Sequence, residues 1–128
     1  MHLSLDLRDP TPIYEQLASS VKELINRAEL RPGDSLPTVR QLAQDLGVNL
    51  NTVARAYREL AKQGILSVRQ GRGASVASAR GHYGATEREN LQRKVKWLVN
   101  EALVLGVGAR GLQAMVDSEL QRLKEAGE

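Results

Sequence analysis

Apolar side chains return along this chain at two spacings, and the change from one to the other divides it into elements. Ile13, Leu17, Val21, Leu24, Ile25 and Ala28 recur every three or four residues, one stripe of a long helix that ends before Pro32 and Gly33. Pro12 at the first helical position, after Thr11 as cap, predicts where it starts. Val39, Leu42, Ala43 and Leu46 form a second stripe about two turns long. Thr38 can cap that helix, and Pro37 holds Leu36 extended and directed inward. Gly47 can take the left-handed conformation that closes a helix, Asn49 can cap the next, and Val53, Ala56, Tyr57 and Leu60 give that next helix its buried face. After Gly64 the period falls to two. Ile65, Leu66 and Val68 alternate with Ser67 and Arg69, and Gly71 and Gly73 turn the chain before Ala74, Ser75 and Val76 return as a strand. Residues 1–76 thus read as mainly α with a small β-hairpin wing, a winged helix-turn-helix. Ahead of it, Leu3, Leu5 and Leu7 alternate with polar residues, a pattern that fits a short strand and an arm equally.

Residues 77–86 are rich in Ser, Gly and Ala without periodicity and read as a linker. From Thr86 and Glu89, spaced as a capping box, the pattern becomes helical again. Leu91, Val95, Leu98, Ala102 and Leu105 recur on one face with Trp97 and Val99 beside them, Gly106 and Gly108 interrupt, and Leu112, Met115, Val116, Leu120 and Leu123 follow on a second helix. Two amphipathic helices joined by so short a turn predict an antiparallel pair over residues 87–128. About forty residues cannot bury both stripes on themselves, so apolar surface is left for a partner, and a second copy is the economical one. The residues expected to carry that dimerisation are Leu91, Val95, Leu98, Ala102, Leu105, Leu112, Val116 and Leu120.

Charge sharpens the reading of the first part. The whole chain carries +3, whereas Arg40, Arg55, Arg58, Lys62, Arg69 and Arg72 against Asp45 and Glu59 leave a surplus of four between Thr38 and Val76. If Asn49 caps the second helix of the turn, Leu50, Asn51 and Thr52 form its first turn, where exposed amides and the helix dipole favour a phosphate. Asn51 and Thr52 can donate to base edges or backbone oxygens, Arg55 lies one turn on, and Arg69 and Arg72 flank Gln70 and Gly71 in the hairpin. Bland alternatives stand beside these: a cap and polar filler for Asn49, Asn51 and Thr52, a surface ion pair with Asp45 or Glu59 for Arg40, a rim residue of the core for Tyr14. Tyr57, on the apolar stripe, reads as core. Arg58 and Lys62 read as solvent-facing or at the phosphate flank, outside the central site.

The ordered run Leu30, Arg31, Pro32, Gly33, Asp34, Ser35, Leu36 and Pro37, then Arg40, Leu42, Ala43, Leu46, Gly47 and Val48, then Asn51, Thr52, Val53, Tyr57, Leu60 and Gly64, with Gly71, Arg72 and Gly73 in the wing, resembles the GntR family of bacterial transcription regulators. The resemblance extends from Ile13 to Val76. It implies a homodimeric repressor on a pseudo-palindromic operator of double-stranded DNA, with contacts from Arg40, from Asn49, Asn51 and Thr52, and from Gln70 and Gly71. Many members carry arginine where this chain has Leu50 and a basic residue where it has Ala54, so part of their base readout is absent. The short two-helix tail is similar to that of the YtrA subfamily. That implies that a dedicated effector pocket is missing; no effector is identified.

The remaining function classes receive little support. No cysteine is present, which removes disulfides and thiolate metal sites and suits a reducing cytoplasm. His2 and His82 have no partner at metal-ligand spacing, and no nucleophile elbow or phosphate-loop lysine follows the glycines, so neither enzyme nor cofactor is expected. No apolar run approaches a membrane span, and the start lacks a signal-peptide pattern. The other reading of the winged helix is a protein-docking module without direct DNA binding.

Overall fold

The computed structural model describes residues 3–69, 73–78 and 84–126. The chain separates into two units, residues 1–82 and 83–128.

In the first unit α1 (Ile13–Asn26), α2 (Val39–Leu46) and α3 (Leu50–Lys62) accompany a three-stranded antiparallel sheet of β1 (Ser35–Leu36), β2 (Leu66–Arg69) and β3 (Gly73–Val76), in the order β1-β3-β2. Helix α3 is the centre: α1, α2 and β2 all pack against it. Its buried residues Val53, Ala56, Tyr57 and Leu60 meet Leu17, Val21, Leu24 and Ile25 of α1 and Leu42 and Ala43 of α2 in one core. Leu66 enters that core from the sheet, whereas Val68 is exposed, so the alternation expected of β2 keeps only one inward side chain.

The hairpin is wider than its sequence indicates. The extended residues before Pro37 pair with its returning strand, Ser35 opposite Ser75 and Leu36 opposite Ala74. Gly33 N–H donates to Val76 O and Val76 N–H to Asp34 O, both at 2.9 Å, which continues the ladder into the loop. The base of the wing is thereby tied to the segment that starts α2. There Thr38 caps the helix in a reciprocal box: its Oγ1 accepts from Gln41 N at 3.1 Å, and Gln41 Oε1 accepts from Thr38 N at 3.0 Å. A residue of α3 holds the same point, because Tyr57 Oη donates to Pro37 O at 2.7 Å. Burial pushes the Tyr57 hydroxyl pKa up to about 12.

Two expectations are corrected, and one left open between strand and arm is settled. Helix α1 is preceded by Pro12 at the cap position with no side-chain cap, so Thr11 does not start it; the Thr11 amide is held instead by Asp9 Oδ1 at 2.9 Å. Residues 3–5 form no strand but an arm on α1, with Leu3 and Leu5 half-buried against the core. Gln16 clamps that arm, its Oε1 accepting from Asp6 N at 2.9 Å and its Nε2 donating to Asp6 O at 3.0 Å and Thr11 O at 2.9 Å. Ala28 lies outside the buried stripe of α1: it is exposed, with φ +59°.

The reason for that angle is a shared way of ending helices. After α2, Gly47 (φ +67°) donates to Gln44 O and Val48 to Ala43 O, at 3.3 and 3.1 Å. After α1 the same two bonds run from Ala28 to Ile25 O and from Glu29 to Leu24 O, at 3.0 and 2.9 Å, with alanine at the left-handed position. This closing pair of bonds normally selects glycine, because a Cβ there crowds the following carbonyl.

In the second unit α4 (Ala85–Val104) and α5 (Ala109–Ala126) are joined by a turn of the same kind. Gly106 (φ +87°) donates to Leu103 O and Val107 to Ala102 O, at 3.2 and 2.8 Å. Helix α4 begins within the stretch read as linker; its cap position is Gly84 with no side-chain cap, so Thr86 lies inside the first turn and the capping box with Glu89 does not form. Ala102 is the one buried residue of the two helices. No helix among the described residues is long and apolar enough to cross a membrane.

Replacing Ala28 with glycine removes the left-handed penalty of about 1–2 kcal/mol and returns part of it as unfolded-chain entropy, for a net gain of roughly 0.5–1 kcal/mol. Thermal unfolding followed by circular dichroism should show Tm rising by a few degrees, whereas an unchanged or lower Tm counts against strain at this site. Tyr57 ionises near pH 10 when unfolded and near 12 when folded, so its stabilising share is complete below pH 10 and fades as pH rises toward 12. Tyr57→Phe should lose about 1 kcal/mol at neutral pH with its hydrogen bond, and show a shallower alkaline decline in denaturant titrations than the parent chain.

Candidate nucleic-acid interface

The turn between α2 and α3 decides which side chains face outward. Asn49 has extended backbone, and its Oδ1 accepts from Asn51 N at 2.8 Å, while Asn49 O accepts from Thr52 N at 3.0 Å. The Asn49 carboxamide oxygen is thus committed to capping, and only its amino group remains as an outward donor. With about 100° between successive residues, the buried face of α3 fixes the opposite one: Asn51, Arg55, Arg58 and Lys62 are all exposed and share one stripe. Thr52 and Glu59, half-buried, edge it on one side; exposed Leu50 and half-buried Ala54 edge it on the other.

This arrangement sorts the residues singled out from the sequence. Asn51 and Arg55 come together on the outward stripe, four residues apart, while Thr52 sits at its margin. Arg40 is exposed in the first turn of α2, and no ion pair joins it to Asp45 or Glu59 among the described residues. Arg69 is exposed at the end of β2, opposite Gly73. Gln70, Gly71 and Arg72, the expected wing tip, lie outside the described residues, as does His82. The elements carrying the others pack together, α2 on α3 and α3 on β2. Arg58 and Lys62 are exposed and continue the stripe of Asn51 and Arg55 at i, i+4, i+7, i+11 spacing.

Arg55 also has a neighbour that the sequence does not reveal. Its Cζ lies 3.8 Å from the centre of the Tyr14 ring, at the start of α1. The Tyr14 hydroxyl donates to Glu15 Oε1 at 3.1 Å. Among the described residues no cluster of three His, Cys, Asp or Glu side chains could hold a metal ion.

The second unit presents a different surface. Trp97 and Leu105 are 66% and 71% exposed, and Leu91, Val95, Leu98, Val99, Leu103, Val104, Met115, Val116 and Leu120 are exposed as well. Of the residues expected to meet a partner, Ala102 is buried and Leu112 half-buried; the other six are exposed. Exposure of Trp97, Leu103 and Val104 makes the C-terminal half of α4 apolar on more than one face, which a single stripe does not predict.

Comparison with known proteins places these features in a group. Residues 13–76 match the family described as bacterial regulatory proteins, gntR family. The chain is 37% identical over 106 residues to the HTH-type transcriptional repressor YtrA of Bacillus subtilis (strain 168), covering 82% of each. A solved transcriptional antiterminator from Listeria monocytogenes EGD-e superposes with a TM-score of 0.87 at 26% identity, over 96% of this chain and 92% of that one. The DNA-binding domain of AraR, solved in complex with operator ORX1, superposes with a TM-score of 0.54 at 32% identity, over 60% of this chain and 99% of that one. Matches to other curated relatives span 35% to 55% of those proteins' lengths.

Neutralising the stripe should read out as lost polyanion affinity. Arg58→Ala is expected to weaken binding to duplex DNA of any sequence and to lower the slope of log K against log salt by about one. Identical slopes for parent and variant would place Arg58 away from phosphates.

Proposed function

The chain belongs to the gntR family of bacterial regulatory proteins and is a DNA-binding transcription regulator; from that premise we propose that it acts as a homodimeric repressor on a pseudo-palindromic operator. The observation that carries the proposal is the outward stripe of Asn51, Arg55, Arg58 and Lys62, set opposite a buried face on the second helix of a helix-turn-helix. A helix of this diameter enters the major groove, where Asn51 and Arg55 reach base edges, Arg55 as a bidentate donor to guanine and Asn51 to adenine. Arg58 and Lys62, further along, meet phosphates, and Arg40 anchors the preceding helix on the backbone. Asn49 contributes its remaining amino group, Thr52 a hydroxyl at the margin of the groove, and Arg69, with Gln70, Gly71 and Arg72 beyond it, follows the neighbouring minor groove.

In this reading residues 1–76 hold the DNA, residues 77–86 link, and residues 87–128 join two copies. Support for self-association comes from the apolar exposure of α4 and α5: Leu91, Val95, Leu98, Leu105, Val116 and Leu120 are too numerous for a helix pair at home in water. A dyad-related pair of recognition helices then matches a dyad-related pair of half-sites. Repression follows from occupancy of a promoter, in the cytoplasm, by binding and without a catalytic step or bound cofactor. The printed description of its B. subtilis relative as a repressor supports the sign of the effect.

Selection of bound sequences from a random duplex pool is the test. Two half-sites related by a dyad are expected, with centres separated by about one helical turn of DNA or a multiple of it. The Leu98→Glu, Leu105→Glu double variant should sediment as a monomer and enrich single half-sites weakly. Failure of the parent chain to show salt-dependent DNA binding would overturn the proposal and favour protein docking. An unaltered dimer in the double variant would remove the tail from the interface.

A further inference from the structure

Tyr14 and Arg55 come from different helices, and among the described residues their contact is the one place where the outward stripe of α3 is touched by another element through an aromatic face. We infer that Tyr14 is a positioning residue for DNA recognition, a shelf that holds the Arg55 guanidinium ready for its contact; the inference rests on the reading of α3 as the recognition helix. With its central carbon 3.8 Å from the ring centre the guanidinium is too close for an N–H bond to point into the ring, which argues that it meets the ring by its flat face. Its N–H donors lie in its own plane and point away along the edges, so stacking leaves the fork that grips a guanine edge or a phosphate unoccupied. An exposed arginine otherwise samples many rotamers, and ordering it on association costs affinity; a shelf removes part of that cost beforehand.

Two further observations agree. No ion pair joins Arg55 to a carboxylate among the described residues, so its charge is not already answered from within the protein. Glu15, next to Tyr14 in the chain, accepts the Tyr14 hydroxyl hydrogen bond at 3.1 Å, so the phenol engages an acid while its ring engages the base. Tyr14 itself is half-buried and packs against the core, which fixes the shelf to α1.

The test is a double-mutant cycle read as affinity for duplex DNA, with thermal unfolding measured in parallel. Tyr14→Phe keeps the ring and should bind within about twofold of the parent, whereas Tyr14→Ala should bind roughly two- to tenfold more weakly. In an Arg55→Ala background Tyr14→Ala should have no further effect, because the shelf has nothing left to hold. Arg55→Lys, which keeps charge but not the planar face, should show the same loss of coupling while leaving Tyr14 and its packing intact. Equal losses from Tyr14→Ala with and without Arg55 would reduce Tyr14 to a core residue and overturn the inference. Tighter binding by Tyr14→Ala would also overturn it, since the ring would then be sequestering Arg55. If the parent chain bound no DNA at all, the recognition-helix reading and this inference would fall together; binding with additive losses would sink this inference alone.

Discussion

The angle of α3 about its own axis decides what the first unit shows to a partner, and four enclosed side chains set it. Val53, Ala56, Tyr57 and Leu60 are gripped by α1 and α2, and rotating the helix by a single position would bring Arg55 or Arg58 into the core. An unpaired buried arginine is far costlier than an exposed valine, so the rotation is strongly held. The polar stripe on the other side therefore needs no specification of its own. The capping of Asn49 and the Tyr57 bond to the Pro37 carbonyl add a second restraint, fixing where the helix starts along its axis and how it stands against the start of α2.

Much of this was legible in the sequence because it depends on period and on local backbone chemistry. The stripes of α2 and α3, the Thr38 cap, the left-handed Gly47 and the inward Leu36 are each set by neighbours within four residues, and pattern reading reaches that far. Strand β1 escaped because two residues carry no period; only its pairing with Ser75 and Ala74 makes it a strand. The Gln16 clamp and the Tyr14 to Arg55 contact escaped for the same reason, being agreements between residues far apart along the chain. Thr11 misled because a threonine before a proline is a good start signal in isolation, while the arm that Gln16 holds leaves Pro12 in the cap position. Ala28 misled differently: its apolar character fits the stripe, but the chain has already left the helix there.

The second unit obeys the opposite economy. Its helices have clear periods and a well-formed turn, yet nearly all of their large apolar side chains remain in contact with water. A local signal, the turn at Gly106, accounts for where α4 ends, whereas the Thr86 signal does not mark where it begins, and the burial that ordinarily stabilises such helices is absent within the unit. Secondary structure there is legible from sequence, and the surface that would complete it is not contained in the chain's own packing.

Strand β1 has a mechanical implication. By joining the base of the hairpin to the residue that precedes Pro37, it couples the wing to the cap of the helix that carries Arg40. A load on either is passed to the other through those two rungs, so the base of the hairpin and the start of α2 respond as one piece rather than as two independent loops.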